Sequence, residues 1–541
     1  MLLPIATILV LSLSPQQTIW PHLFGTVLPR AVANTLLMMA GVGALALVIG
    51  TGTAWLVTMY RFPGRGLLDR LLVLPLAMPT YIVAYCYVEV FDYSGPVQTA
   101  LRALFGWQSA RDYWFPDIRT LPGCILVLST VLYPYVYLAA RASFAQQSVC
   151  VLEVARTLGQ TAIGAFRTVA MPLARPALAA GVALTAMECL NDLGAAQYLG
   201  IETLTVSIYT TWLQRSNLAG AAQLALVALV GVLALLLAER ALRGGARVHH
   251  TTGRYRAIPF SDLAGWRAGL VVVGCAVPVT AGFLLPLAVL IAQTSSDLSD
   301  ALRLGFWRAA GNSLLVAGTA ALTTVGVGLA LVYARRLSGN RLARSVVRLA
   351  SLGYAMPGTV LALGLMLPLA MLDNAVDAGL RAWLGVSSGL ILSGSLFVIV
   401  LAYTVRFLAI ALGSIEAGFD KLSPNLDAVA RTLGESALSC LRRVHVPLLL
   451  PALAAAALMV FVDGMKELPA TLLLRPFNFE TLATSAYSYA ALEQFERAAL
   501  GALTIVLIGL MPVLWLHQAV AGGRAGSKVG ADGAGGLPMR R

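Results

Sequence analysis

Two pairs of carboxylates stand out by their spacing. Glu188 and Asp192 lie four residues apart, as do Asp463 and Glu467, and an i, i+4 spacing puts both members of a pair on one helix face. Each pair falls at the end of an apolar stretch, where acidic side chains are costly and usually face a polar cavity. Four such groups facing one another suit a hard cation on a translocation pathway, because hard cations take oxygen ligands. The alternative is that they anchor helix ends and pair with neighbours such as Lys466.

Conventional catalytic chemistry is missing. There is no GxxxxGK phosphate loop followed by Ser or Thr, so the chain does not itself hydrolyse ATP. No HExxH or paired catalytic carboxylates occur in a polar segment, which argues against a membrane enzyme. The six cysteines (Cys86, Cys124, Cys150, Cys189, Cys275, Cys440) show no CxxC and no metal-ligand spacing, and are expected to serve as packing. His249 and His250 fall in a polar stretch and read as a solvated pair. The expectation is therefore no catalytic residue, no stable metal site and no cofactor.

A repeated hexapeptide is the second feature. VARTLG occupies 154–159 and recurs at 429–434, each copy followed by a proline, Pro172 or Pro447. The pattern predicts a short helix, a glycine turn, a second short amphipathic helix, and a proline that ends it at a membrane. Gly159 and Gly434 supply the left-handed backbone that closes a helix. In the first copy Ala162, Ala165, Phe166 and Val169 share an apolar face, with Arg167 off it. That is the shape of a helical peg for a groove on another protein.

The elements that carry these residues are membrane helices. Of 541 residues, 58% are hydrophobic and 12% charged, with a mean hydropathy of +0.80. A soluble domain carries about twice that charge. Apolar runs recur, most of them long enough to cross about 30 Å of hydrocarbon, and give approximate spans at 2–13, 31–59, 68–91, 121–140, 173–191 and 219–238. A second series falls at 269–292, 310–333, 350–372, 387–413, 448–464 and 499–518. The expected fold is an all-α polytopic membrane protein with about twelve spans in two six-helix repeats. The domains expected are 1–239 and 269–521, with loops at about 143–172 and 414–447. A basic linker, 240–268, joins them and a flexible tail, 522–541, follows. No cleavable signal peptide is evident. Residues 2–13 give a helix of only about 18 Å, so either the true start lies upstream or the first helix is a stub.

The repeats are parallel. Asn34-Thr-Leu-Leu through Met78-Pro79 matches Asn312-Ser-Leu-Leu through Met356-Pro357 at an offset of 278 residues, as does Glu202-Thr-Leu against Glu480-Thr-Leu. The hexapeptides and their prolines match at an offset of 275. An ordered series of matches marks a duplication, and six spans per copy relate the copies by an axis along the membrane normal. Met78-Pro79 and Met356-Pro357 are candidate kinks at matching points. With both termini in the cytoplasm, 27 of the 38 Lys and Arg fall inside, including those at 406–443, as the positive-inside rule requires. The net charge of +13 is thus membrane topology, and no nucleic-acid partner is implied. Tyr93, Tyr113, Trp114, Tyr209, Trp212, Tyr487 and Tyr489 are expected as an aromatic belt or a docking surface.

The loops carry a resemblance. Glu153, Ala155, Gly159 and Pro172, with Val154 between the first two, resemble the E-A-A-x-x-x-G loop of permease subunits of binding-protein-dependent ABC importers. In the second copy Ala430, Gly434 and Pro447 fit, while Ala428 replaces the glutamate and Asp427 stands beside it. Arg156 and Arg431 complete the two motifs. The resemblance covers nearly the whole chain as two fused permease domains. It implies the type I importer permease fold in a bacterial inner membrane, in contact with lipid. It also implies a homodimer of ATP-hydrolysing subunits that receives the two loops, and a periplasmic solute-binding protein. The segments 78–101 and 465–487 look like the ferric-iron type of permease, with the thiamine type as nearest rival. A secondary transporter is the other class, but it calls for inverted repeats and mid-span ionisable residues.

Overall fold

The structure is a computed structural model that describes residues 2–13, 19–147, 157, 160–243, 261–296, 304–423 and 425–521. The first series contains α1 (Leu2–Ser12), α2 (Val27–Met59), α3 (Arg65–Leu71), α4 (Thr80–Phe91), α5 (Leu121–Gln146), α6 (Met171–Asn191) and α7 (Leu218–Arg243). The second contains α8 (Gly265–Val279), α9 (Leu285–Ser296), α10 (Leu304–Ser338), α11 (Arg341–Ala350) and α12 (Gly358–Leu384). It continues with α13 (Leu396–Phe419), α14 (Asn425–Thr432), α15 (Val446–Met465), α16 (Leu482–Ala491) and α17 (Phe495–Ala521).

Among the described residues ten helices are long and apolar enough to cross a membrane. An eleventh candidate is the pair Arg65–Ala77 and Thr80–Phe105, bent by 98°, which is either a broken span or a re-entrant loop. The break falls at Met78-Pro79. A residue before proline is pushed out of the α region, and Met78 takes φ −85°, ψ 122°. Met356 before Pro357 does the same at φ −77°, ψ 125°. The expected kinks are therefore full interruptions, each a 3₁₀ turn followed by an extended Met-Pro. The twelfth expected span is α1, whose 11 residues are too short to cross.

The chain forms two compact units whose limits cross the two series. One comprises residues 1–35, 190–232 and 289–508. Its core is α10, α13 and α15, which bring Val316, Ala320, Ala402, Tyr403 and Val460 together, with Tyr333, Leu412, Ile415 and Leu449 at the far end. Helix α1 packs on α12 in the same unit, where Ile8 is fully buried. The other unit comprises 36–189, 233–288 and 509–541. Here α2, α5 and α6 meet at Gly50, Gly43 and Gly181, and α8 packs against α3. Each unit thus contains the first helix of the series that supplies the smaller part of it.

Small residues set the helix approach, as is common where lipid removes the hydrophobic drive for association. A Cβ on Gly50 of α2 would lie 2.8 Å from the Tyr137 backbone nitrogen and 2.9 Å from the Tyr133 carbonyl oxygen of α5. Its repeat partner, Gly328 of α10, leaves 3.2 Å to Ile415 and 3.3 Å to Ala411 of α13. The duplication is visible in hydrogen bonds as well. Asn34 and Asn312 donate their side-chain amides to the carbonyls of Glu202 and Glu480 at 3.0 and 2.8 Å. The backbone N–H groups of Leu204 and Leu482 donate to the hydroxyls of Thr35 and Ser313 at 2.9 and 2.7 Å.

Candidate functional site

The second loop is described almost completely. Helix α14 ends at Gly434, whose φ of +77° only glycine adopts without strain. The Gly434 N–H donates to Arg431 O and the Glu435 N–H to Ala430 O, both at 3.0 Å, the two bonds of a Schellman closure. Ser436 then caps the next turn by accepting from the Ser439 N–H at 3.2 Å. Ala430 is buried beneath the turn, while Val429, Leu433 and Leu438 are exposed. Those three apolar side chains, with exposed Arg431, form the outward face of the loop.

The inward face is polar and paired through Asp427, although the buried Nδ1 of His445 has no hydrogen-bond partner. Asp427 accepts from Arg336 Nε through Oδ2 and pairs with His445 Nε2 through Oδ1, each at 2.7 Å. Arg336 also donates to Ser423 O at 3.3 Å and stacks its guanidinium over Phe419, 5.2 Å from the ring centre. Tyr333 donates to Ala437 O at 2.7 Å. The rings of Tyr333, Phe419 and His445 pack together at 5.4–6.3 Å. Burial works against ionisation of Asp427, but the hydrogen bonds from His445 and Arg336 outweigh it and hold the carboxyl below its usual value. The network therefore pins α14 to the ends of α10 and α13.

Pro447 does not end a helix as expected. A wide π turn, Leu441–His445, runs straight into α15 with Pro447 in its first turn, where the missing N–H is tolerated. The same happens in the first copy, with π turn Phe166–Ala170 before α6 and Pro172. Glu153, Ala155, Arg156 and Gly159 lie outside the described residues. Of the apolar face expected to point toward a partner, Ala165 is buried and half-buried Phe166 packs on Trp55 at 4.8 Å.

The carboxylates occupy different surroundings. Asp463 pairs with Lys466 at 2.8 Å. Glu467 is buried, accepting from Arg406 Nη1 at 2.9 Å and from the Ala470 N–H at 3.2 Å. Asp192 accepts from the Ala196 N–H at 2.9 Å, closing a turn, and Glu188 is half-buried on α6. Arg406, which opens the basic segment 406–443, lies near the middle of α13. The Arg406–Glu467 pair sits against the broken-helix start of α12, where the Gly358 N–H donates to Asn191 Oδ1 at 2.8 Å. Tyr487, expected in an aromatic belt, is 7% exposed, whereas Trp114 is 86% exposed.

Arg336, Tyr333, His445 and Arg406 were not singled out by sequence. A double Arg at 335–336 and a lone Arg inside an apolar run were the available signals.

Comparison with known proteins gives the family. The model of the binding-protein-dependent transport system inner membrane component matches twice, at residues 46–247 and 323–523. A Haemophilus influenzae protein named Fe(3+)-transport system permease protein FbpB 2 is 26% identical over 505 residues, covering 92% of this chain and 91% of the relative. The sulfate transport system permease protein CysT of Salmonella typhimurium is 31% identical over 260 residues, 46% of this chain and 89% of its own length. A Salmonella paratyphi A protein named for 2-aminoethylphosphonate transport is 28% identical over 223 residues, 40% of this chain and 76% of its own. Members of the family work with an ATP-hydrolysing subunit and a solute-binding protein, and are not themselves enzymes. The chain belongs to this family: it is a multi-pass inner-membrane permease of an ABC importer, two permease domains fused in one polypeptide.

Proposed function

We propose that this permease carries ferric iron, delivered by a periplasmic binding protein, into the cytoplasm. The observation that carries the reading is end-to-end similarity: the Fe(3+) permease matches 92% of the chain, whereas the sulfate permease matches 46% of it. A second reading, an oxyanion permease, draws support from the sulfate and phosphonate relatives at 31% and 28% identity. Both termini are cytoplasmic in this reading, which the distribution of Lys and Arg supports. The domains run 1–239 and 269–521.

The two loops dock on a homodimer of ATPase subunits and pass its motion to the spans. In the second loop Val429, Leu433 and Leu438 supply the apolar contact. Arg336 and His445, held on Asp427, make the loop move as one body with α10 and α15. Glu153, Ala155, Arg156, Gly159 and Pro172 serve the same end in the first loop. Glu188, Asp192, Asp463 and Glu467 contribute negative charge to the pathway.

The test is uptake by proteoliposomes holding the assembled importer, with its binding protein and ATP outside and inside respectively. Radiolabelled iron should accumulate, and sulfate should not. Sulfate or phosphonate uptake without iron uptake would sink the ferric reading in favour of the oxyanion one. Amides at Glu188, Asp192 and Asp463 should lower iron uptake while ATPase stimulation persists. Glu467 is left intact in that variant because Arg406 needs it.

A further inference from the structure

We propose that Asp427, Cys440 and His445 form a binding site for one divalent transition-metal ion on the second loop. The three residues stand 13 and 5 positions apart, a spacing that matches no metal motif, yet the fold brings one ligand atom of each within 4.8 Å of the others. Asp427 Oδ1 lies 2.7 Å from His445 Nε2 and 3.9 Å from Cys440 Sγ. A tetrahedral ion with bonds of about 2.0–2.3 Å holds its ligand atoms roughly 3.2–3.7 Å apart. The His–Asp contact must open by about half an ångström and the Cys–Asp contact close slightly, changes within side-chain reach.

The donor set defines the ion. One thiolate, one imidazole and one carboxylate suit borderline metals such as Zn²⁺, Fe²⁺ and Co²⁺, and not Mg²⁺ or Ca²⁺, which take oxygen alone. The site is buried, with Cys440 4%, His445 0% and Asp427 9% exposed, and a water molecule would take the fourth position on the ion. Arg336 holds the other carboxylate oxygen of Asp427 at 2.7 Å, orienting it as outer partners of metal ligands do. Arg336, Tyr333 and Glu435 are the charged and titratable groups around the triad.

Proton and charge balance follow. Without metal, the Asp427 carboxylate is neutralised by the Arg336 guanidinium. Binding releases the Cys440 thiol proton and uses His445 as a neutral imidazole with its proton on Nδ1, leaving Nε2 for the ion. The occupied site then has net charge +1, and affinity rises with pH. The site belongs to the second loop alone. At the 275-residue offset the first copy has Leu152, Ala165 and Ala170, none of them a ligand. Occupancy ties α14 to the π turn that leads into α15.

The site does not depend on which solute the permease carries, and its test reads metal binding directly. The full chain in detergent, stripped of metal, is titrated with Co²⁺. One Co²⁺ per chain should bind, with a thiolate-to-cobalt charge-transfer band and the visible bands of a four-coordinate ion. C440S should lose the charge-transfer band, and both C440S and H445Q should bind at least about tenfold more weakly. C440S is nearly isosteric, so it decides the matter if H445Q fails to insert. Wild type without the charge-transfer band, or C440S matching wild type in spectrum and affinity, would overturn the proposal.

Discussion

Arg406 Nη1 donates to Glu467 Oε1 at 2.9 Å, with both side chains 5% exposed. Arg406 is near the middle of a 24-residue span, and a charge at that depth persists only when paired. Removing one partner strands the other, at a cost of about 3–5 kcal/mol for a buried pair. R406L and E467L should each lower the thermal midpoint of the purified chain strongly. R406M/E467L together should recover most of the loss, because apolar replacements of buried pairs are often neutral. A double variant no more stable than the singles would mean the residues act separately.

Gly434 closes α14 in a left-handed conformation, φ +77°. A side chain there costs about 1–2 kcal/mol, enough to reopen the Schellman turn without unfolding a span. G434L should insert and reach normal levels, yet lose ATPase stimulation and transport in the assembled importer. Normal transport by G434L would show that the turn geometry is dispensable.

Asp427 is held ionised below its usual 3.8 by His445 and Arg336, against the opposing effect of burial. A lowered carboxyl pKa contributes stability above the unfolded value, lost as pH falls through the folded one. The second loop should therefore resist limited proteolysis down to about pH 3.8 and open below it. D427N should show weakened protection already at neutral pH. Equal protection of both proteins at every pH would remove Asp427 from the loop's support.

Gly50 and Gly328 sit at equivalent helix contacts with unequal room, 2.8 Å to backbone against 3.2 Å to the tip of Ile415. G50V should cost at the upper end of the roughly 1–3 kcal/mol typical of overpacking, because backbone cannot yield. G328V should cost less, since Ile415 can change rotamer. Thermal unfolding of the two variants in detergent checks the order, and a larger loss in G328V would contradict it.

Much of the architecture was legible in one dimension. Apolar length marks a span because hydrocarbon thickness is fixed, and repeated words such as VARTLG mark a duplication at any distance. Met78 and Met356 could be placed at interruptions because the clash between a proline ring and its predecessor is local. Gly434 could be assigned a left-handed turn for the same reason.

The partners of the charged groups could not be read this way. Arg406 meets Glu467 across 61 residues, and Arg336 meets Asp427 across 91. Periodicity places each side chain on a face of its own helix but does not say which helix lies opposite. Arg406 thus read as one of the basic residues of 406–443 until packing showed its partner, and Cys440 read as inert. The packing of Phe166 was equally hidden, because a peg's apolar face can be covered by a partner or by the chain's own Trp55. Sequence by itself determined most of the spans and the fusion of two repeats, since local sterics and hydrocarbon thickness fix these. Tertiary structure alone decided which charges neutralise which, and that Asp427, Cys440 and His445 converge, since such meetings depend on how distant helices pack.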